Sequence, residues 1–282
     1  MNENAEATQG RYTVLIMAAN RRGINDPVAR MGGVSHKCVV PIAGMPMIER
    51  VVRTIEAWGK AGRILVSIEN SEILDSVPYV ADLRRDGRIE FVRSGANFLE
   101  SVGNAAGRLM DTDYPVLITT GDNVLHTPSI IDDFCTAATA SEAEVAFALT
   151  PRTVVADSYP QDAPDVGYLT FAEGQHSNCN IYMLRSPRTL PVVRTMQEGG
   201  QFRSHPLRIL RAFGFVAMVK YQLGRVRIPD IKQRLERLFG LPVAPIILRY
   251  AEAPIDVDNP TTYALVERIL HQREGTEALE SA

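Results

Sequence analysis

The sequence predicts an α/β protein with a mainly parallel, doubly wound sheet. Short apolar runs rich in β-branched residues alternate with segments whose apolar residues recur at helical spacing, a pattern typical of βαβ units. Several runs are apolar throughout, as expected for strands covered by helices on both faces. With 282 residues, 45% of them hydrophobic, the chain can bury a substantial core.

The first half of the chain predicts strands and helices in alternation. The run YTVLIMA predicts a first strand, and the helix that follows ends at Gly59, because glycine commonly terminates helices. Another helix begins at Pro128, a residue favoured in the first turn. The predicted strands are 12–18, 63–68, 88–92, 114–120 and 143–150, and the predicted helices are 47–59, 98–110 and 128–139.

The pattern changes after residue 150. A segment rich in proline and aspartate predicts a loop, and two short strands follow at 167–171 and 178–184. The remaining predicted elements are helices near 187–198, 204–223 and 229–239, a last strand at 244–250 and a last helix at 260–272.

Composition excludes several classes of protein. The net charge of −3 gives no overall attraction to nucleic acid, and no apolar run approaches the ~20 residues that span a bilayer. The first ten residues are polar and predict a disordered tail rather than a signal peptide. The cysteines, Cys38, Cys135 and Cys179, lack CxxC spacing, so we expect reduced cytosolic thiols rather than disulfides or a zinc site.

A basic, glycine-rich loop, residues 20–37 (NRRGINDPVARMGGVSHK), follows the first predicted strand. In an open parallel sheet, ligands bind at the carboxyl ends of the strands. Glycines let backbone N–H groups approach an anion, and arginine and lysine neutralise it. The loop is therefore a candidate site for a triphosphate, although its composition fits a solvated loop equally well.

Carboxylates occur at two places that could share this edge of the sheet. Asp122 follows a predicted buried strand, where it could hold Mg²⁺, although Gly-Asp-Asn is also common turn chemistry. Asp256 and Asp258 precede the last helix, where Asp or Asn before proline also serves as a helix cap. We expect Asn259 to cap that helix under either interpretation.

The order of these residues resembles the signature of MobA-like nucleotidyltransferases. Arg-Met-Gly-Gly at 30–33 is followed by Lys37 and by Gly-Met-Pro-Met-Ile at 44–48. The resemblance covers most of 12–185 and resumes at 253–272. It implies a Rossmann-like, GT-A-like sheet. The helical insertion before the last strand is predicted from the chain's own pattern, because a minimal member of the family lacks such a segment. We therefore expect a disordered tail (1–10), a nucleotidyltransferase core (11–185 and 243–273), a basic helical insertion (186–242) and a second tail (274–282).

The resemblance implies Mg²⁺-dependent transfer of a nucleoside monophosphate from an NTP, with CTP or GTP favoured. The acceptor would be a sugar, alcohol or lipid-headgroup phosphate, and pyrophosphate would be released. Arg30 and Lys37 would hold the phosphates, and Asp122 and Asp258 would hold the metal, with Asp256 as the alternative ligand. Such transfers depend on positioning and charge neutralisation, so no enzyme nucleophile is required.

Further roles follow from the same resemblance. The implied nucleotide-binding residues are Ala18, Ala19, Asn20, Gly32, Gly95 and Ser101, and the implied acceptor contact is Asn180. Ser101 could equally be an ordinary helical residue, and Asn180 an edge-strand residue. The family usually has glycine where this chain has Asn20, and its stretch before the arginine is shorter. Because asparagine tolerates the left-handed conformation, we expect the turn to be retained.

Residues 201–249 carry ten arginines and lysines against two acidic residues. One interpretation is a helix with a solvated basic face. Another is a site for an anionic acceptor or a peripheral contact with the inner face of a membrane, because basic amphipathic helices bind lipid interfaces. Nucleic acid is not expected, because the aromatic side chains of a strand-binding groove are sparse.

Two other functions remain open at this point. A glycosyltransferase using a sugar nucleotide could share the sheet, but it would be expected to show Asp-x-Asp after the middle strand, where this chain has Gly-Asp-Asn at 121–123. A nucleotide-binding protein that has lost catalysis is the other possibility.

Overall fold

The computed structural model describes residues 12–20, 22–160, 164–191 and 225–280. The strands of this part of the chain are β1 (Tyr12–Met17), β2 (Pro41–Ile42), β3 (Met45–Pro46), β4 (Ala61–Ile68), β5 (Ile89–Arg93), β6 (Val116–Thr120), β7 (Val145–Pro151), β8 (Leu169–Phe171), β9 (Gly174–Leu184) and β10 (Val243–Ile247). Its α-helices are α1 (Pro27–Met31), α2 (Met47–Trp58), α3 (Pro78–Arg85), α4 (Phe98–Ala106), α5 (Pro128–Ala140), α6 (Arg152–Ser158), α7 (Ile228–Phe239) and α8 (Pro260–Glu280).

The central sheet has the strand order β10-β7-β9-β6-β1-β4-β5, and β8 pairs with β9. β1 is parallel to β4 and β6, β4 is parallel to β5, and β7 is parallel to β10. β9 runs antiparallel to β6 and β7. The predicted mainly parallel sheet is confirmed, and the carboxyl ends of β1, β4, β5 and β6 share one edge.

Helices cover both faces of the sheet. Along β1, Val14 and Ile16 belong to the larger buried cluster, whereas Leu15 and Met17 belong to a smaller cluster that includes Val102 of α4. Because successive side chains of a strand point to opposite faces, β1 is buried on both sides. This explains why its sequence is apolar throughout.

The structure adds short elements that the sequence pattern did not predict. These are α1, the β2–β3 hairpin, α3 and α6, of which α6 lies within the predicted loop after residue 150. α1 depends on a local cap, because the Asp26 carboxylate accepts hydrogen bonds from the N–H groups of Val28 and Ala29, each at 3.0 Å. α8 continues to Glu280, beyond the predicted start of the tail at 274.

Several predictions fall outside the described residues. They are the tail 1–10, the helix 204–223 and most of the helix 187–198, whose beginning is a 3₁₀ turn at Pro187–Thr189. The proposed insertion 186–242 is therefore represented mainly by α7. The domain boundaries stay a prediction.

Candidate active site

A cavity of about 410 Å³ opens at the carboxyl ends of β1 and β6. It brings together eight of the residues singled out by sequence. These are Ala18, Ala19, Asn20, Lys37, Ser101, Asp122, Asn180 and Asp258. Asp256 also lines it, together with Met17, Arg22, Asp26, Cys38, Thr120 and Gly121.

The ammonium of Lys37 contacts two carboxylates in the cavity. Its Nζ lies 2.5 Å from Oδ2 of Asp122 and 2.8 Å from Oδ1 of Asp258. The side chains of Lys37 and Asp122 are each 16% exposed, whereas that of Asp258 is 51% exposed. One cation thus bridges two carboxylates that are far apart in the sequence.

A third carboxylate completes an acidic cluster, defined here as Asp122, Asp256 and Asp258. One potential ligand atom from each lies within 4.8 Å of the others. Oxygen donors of this kind suit Mg²⁺, which is commonly held by one or two carboxylates together with substrate phosphates. The donor set therefore fits a divalent metal, and the Lys37 ammonium already lies between two of its members.

Asp122 lies close to Asp256 and Asp258 because the loop after β10, which carries the latter two, crosses to the end of β6. The Val257 N–H donates to the Asp122 carbonyl at 3.2 Å. Beyond the cluster, the Asn259 side chain accepts from the N–H groups of Thr261 and Thr262, each at 3.0 Å. Asn259 therefore caps α8, as predicted, and fixes the chain just after Asp258.

Electrostatics inside the cavity follow from burial and charge pairing. Burial disfavours the charged form of Lys37, but Asp122 and Asp258 outweigh it and hold the pKa of Lys37 above its ordinary value. Burial opposes ionisation of Asp122 as well, yet the Lys37 ammonium keeps the pKa of Asp122 below its usual value. Burial and the nearby charges of Asp122 and Asp258 raise the pKa of Asp256 to about 7. The cluster therefore carries more negative charge than Lys37 alone can balance.

Asn180 lies on the opposite side of the acidic cluster from the loop 20–37. Its backbone adopts the left-handed region with φ of 54°, where the β7–β9 register shifts. The side-chain amide donates to Oδ1 of Asn123 at 3.1 Å and to Oδ2 of Asp256 at 3.0 Å. Asn180 thus orients a carboxylate of the cluster, a contact that its position in the sequence did not reveal.

Asn20 holds the loop 20–37 through its side chain, and not through the left-handed backbone conformation that we expected. Its backbone does not adopt the left-handed conformation. Instead, the buried side-chain amide donates to the carbonyls of Gly23 and Ser35, each at 3.0 Å. The expectation of a left-handed turn at Asn20 is corrected accordingly: side-chain hydrogen bonds hold the two ends of the loop together.

Three of the predicted site residues are not among the described residues that line the cavity: Arg30, Gly32 and Gly95. Arg30 is exposed on α1, and Gly32 caps that helix. The Gly95 N–H donates to the Ser101 hydroxyl at 2.9 Å, so Gly95 supports the start of α4. A Cβ at Gly95 would lie 2.3 Å from Cβ of Glu100, which explains the glycine by close approach.

Arg22 lines the cavity although sequence reasoning did not select it. Its Nη1 donates to the main-chain carbonyl of Asp258 at 3.2 Å. The signal available in the sequence was its place two residues after Asn20, in a basic loop that leaves the first strand. Arg22 belongs to no motif, whereas Arg30 is part of the Arg-Met-Gly-Gly motif.

A family model described as the MobA-like NTP transferase domain matches residues 26–218, well over half of the chain. The chain belongs to this family. This agrees with the resemblance seen in its motifs.

A curated relative is the 2-C-methyl-D-erythritol 4-phosphate cytidylyltransferase of Bacillus mycoides (strain KBAB4), which is 29% identical over 131 residues. The match covers 45% of this chain and 53% of the relative, so the chain spans about half the length of that protein.

Solved structures share the fold. A hypothetical transferase from Thermus thermophilus has a TM-score of 0.73 at 21% identity, covering 90% of this chain and 99% of that one. A CMP:2-keto-3-deoxy-manno-octonic acid synthetase complexed with CTP has a TM-score of 0.57 at 12% identity, with coverages of 93% and 99%. The 4-diphosphocytidyl-2C-methyl-D-erythritol synthase of Anaerococcus prevotii DSM 20548 gives the same values.

The described part of the basic segment 201–249 begins at residue 225. There, Arg227 pairs with Asp230, and Lys232 lies 3.8 Å from Glu236. In the part of the chain that the structure describes, no helix combines the length and apolarity needed to cross a membrane. A peripheral membrane contact stays a prediction.

Proposed function

We propose that this nucleotidyltransferase moves a cytidylyl group from CTP to a phosphorylated acceptor, with Mg²⁺ as cofactor. The observation that carries the proposal is the acidic cluster at the carboxyl ends of the central strands, with Lys37 between Asp122 and Asp258. The names of the relatives, which include cytidylyltransferases and a synthetase bound to CTP, favour cytidine as the base. GTP is the second candidate donor.

In the proposed reaction, an oxygen of the acceptor phosphate attacks the α-phosphorus of the nucleotide. The bond from that phosphorus to the oxygen bridging to the β-phosphorus breaks, and pyrophosphate leaves with the electron pair. When bound, Mg²⁺ supplies positive charge to the phosphates, and Asp122 and Asp258 are the residues proposed to hold it. Lys37 neutralises the phosphates, and no side chain needs to form a covalent bond.

The strand order supports an arrangement of the two substrates across the cavity. Ser101 follows β5 on one side of β1, whereas Asn180 lies on β9 on the other side of β6. We assign the nucleoside to the Ser101 side, next to Ala18 and Ala19, and the acceptor to the Asn180 side. The triphosphate then lies between them, beside the loop 20–37 and the acidic cluster.

Pyrophosphate release tests this function directly. The enzyme is incubated with Mg²⁺, each of the four NTPs, and a panel of sugar phosphates and alcohol phosphates, with Asp122→Asn as the matched inactive control. We expect release with CTP that requires both Mg²⁺ and one class of acceptor. Release with GTP alone would transfer the proposal to guanylyl transfer, and release of a sugar from UDP- or GDP-sugars without pyrophosphate would refute it.

A further inference from the structure

The cavity has two cationic residues among the described residues that line it, Arg22 and Lys37. Lys37 is engaged with two carboxylates at 2.5 and 2.8 Å. Arg22 is exposed, and its one hydrogen bond of defined geometry goes to a neutral carbonyl, that of Asp258, at 3.2 Å. A guanidinium has five N–H donors, so most of those of Arg22 remain open to a ligand.

The charge of the cavity favours a role for such a group in binding an anion. Four aspartates line it, Asp26 and the acidic cluster, against the two cations. Asp26 already serves as the cap of α1, and Lys37 already balances part of the acidic cluster. Lys37 is thus shared between the acidic cluster and the phosphates that it is proposed to neutralise. A triphosphate in this cavity would gain from a second cation that is not paired with a carboxylate, and Arg22 meets that condition.

The motif arginine does not occupy this position. Arg30 lies on α1, is exposed, and is not among the described residues lining the cavity. Between Asn20 and Arg30, Gly23–Asn25 form a 3₁₀ turn, and α1 follows, which the Asp26 cap and Pro27 begin. The longer stretch before Arg30 thus separates Arg30 from the end of β1, whereas Arg22 remains in the cavity beside that strand end.

We propose that Arg22, rather than Arg30, is the arginine that contacts the β- and γ-phosphates of the nucleotide. The inference rests on the function proposed above. Guanidinium groups pair with phosphate oxygens through two parallel N–H bonds, which makes such a contact both strong and directional. Arg22 also joins the loop 20–37 to the main chain of Asp258, so phosphate binding and the metal-binding loop are adjacent.

The test compares Arg22→Met with the matched control Arg30→Met, each in the full chain, by isothermal titration with CTP and with CMP in the presence of Mg²⁺. Charge-assisted hydrogen bonds contribute enough that we expect Arg22→Met to weaken CTP binding at least about tenfold. CMP lacks the β- and γ-phosphates, so its affinity should change less than about twofold, and Arg30→Met should leave both affinities similarly unchanged. Arg22→Lys should bind CTP more tightly than Arg22→Met but less tightly than the wild type, because lysine keeps the positive charge and lacks the two parallel N–H donors of the guanidinium.

Other outcomes overturn the proposal. If Arg30→Met weakens CTP binding and Arg22→Met does not, the motif arginine binds the phosphates. If Arg22→Met weakens the binding of CTP, of CMP and of Mn²⁺ without nucleotide to the same extent, Arg22 acts only by holding the loop that carries Asp258. A wild-type protein that binds none of the four NTPs would overturn the proposed function as well, which distinguishes that failure from failure of the Arg22 assignment alone.

Discussion

At the scale of single residues, Lys37 is the most informative side chain in the cavity. Its ammonium lies between Asp122 and Asp258, which are the two carboxylates proposed to hold Mg²⁺. A lysine and a divalent cation cannot both neutralise these oxygens at close range, because like charges repel. Nucleotide phosphates would give Lys37 another partner, so metal and nucleotide are expected to bind cooperatively.

Lys37→Met should separate the role of Lys37 in neutralising the nucleotide phosphates from its competition with the metal. Loss of the charge should reduce turnover at least about tenfold, since charge-assisted contacts contribute roughly 1.5–3 kcal/mol. In the absence of nucleotide, the same substitution should tighten Mn²⁺ binding, because a competing cation has been removed. Electron paramagnetic resonance of free Mn²⁺ measures the second effect, and Lys60→Met, whose lysine pairs with Asp132 elsewhere, is the control. Weaker Mn²⁺ binding in Lys37→Met would contradict the idea that Lys37 and the metal compete for the same carboxylates.

The acidic cluster allows a second prediction about the choice of metal ligands. Asp122→Asn and Asp258→Asn should each abolish Mg²⁺-dependent activity, and the double variant should be no worse than either one, because both act on one ion. Asp256→Asn should retain more activity than Asp258→Asn. The reverse order in a pyrophosphate-release assay would make Asp256 the second ligand, and full activity in both variants would place that ligand elsewhere.

At the scale of elements, the beginning of α8 fixes the loop that carries Asp256 and Asp258. Asn259→Ala removes a side chain that accepts from two backbone N–H groups, so the free energy of unfolding should fall by about 1 kcal/mol. Urea denaturation measures the change. Asn259→Ser, which retains a capping oxygen, should lose only part of this stability. Equal losses in the two variants would show that the asparagine stabilises the loop in some way other than capping.

The sequence predicted elements best where apolar spacing extends over several turns. α2 and α5 lie within one residue of their predicted bounds. α1 has five residues, which is too few to display helical spacing. It also depends on the cap at Asp26, whose hydrogen bonds are visible only in the folded loop. α6 follows a proline in a segment whose composition favours a loop, so tertiary packing decided its structure.

The site was predictable to the extent that its residues follow strands or belong to a motif. Lys37, Asp122 and Asp258 were selected from the sequence and lie together in the cavity. Arg30 was selected by the motif. The longer stretch before it leads into α1, which carries Arg30, and Arg30 is not among the described residues that line the cavity. Spacing along the chain cannot show how far an inserted helix carries a side chain from a strand end.

At the scale of the whole molecule, a buried histidine links the chain after β6 to the loop after β10. His126 follows β6, and its ring Nε2 lies 2.9 Å from the carbonyl of Ala253, in the loop after β10. Burial lowers the pKa of His126 from 6.5 to about 4. The native protein therefore holds this ring neutral at a pH where the unfolded chain would protonate it.

This shift predicts a pH dependence of stability. Above pH 6.5 both states carry a neutral ring, so His126 contributes no change. Between pH 6.5 and 4 the unfolded state binds the proton more readily, and the free energy of unfolding should fall by up to about 3 kcal/mol from this group. Thermal or urea denaturation across this window measures the loss.

His126→Gln is the matched variant, because glutamine keeps an N–H donor but does not titrate. Its stability should vary less with pH between 6.5 and 4 than that of the wild type. Parallel curves for the two proteins would show that carboxylates such as Asp122 account for the acid sensitivity instead.

The contact between Lys37 and Asp258 joins residues 221 positions apart in the chain. During synthesis, Lys37 and Asp122 therefore leave the ribosome long before the loop that follows β10 can cross to meet them. A growing chain possesses the loop 20–37 early and the complete acidic cluster only near the end. Under the proposed function, a partly made protein would therefore lack the metal site for nucleotide transfer until its sheet is finished.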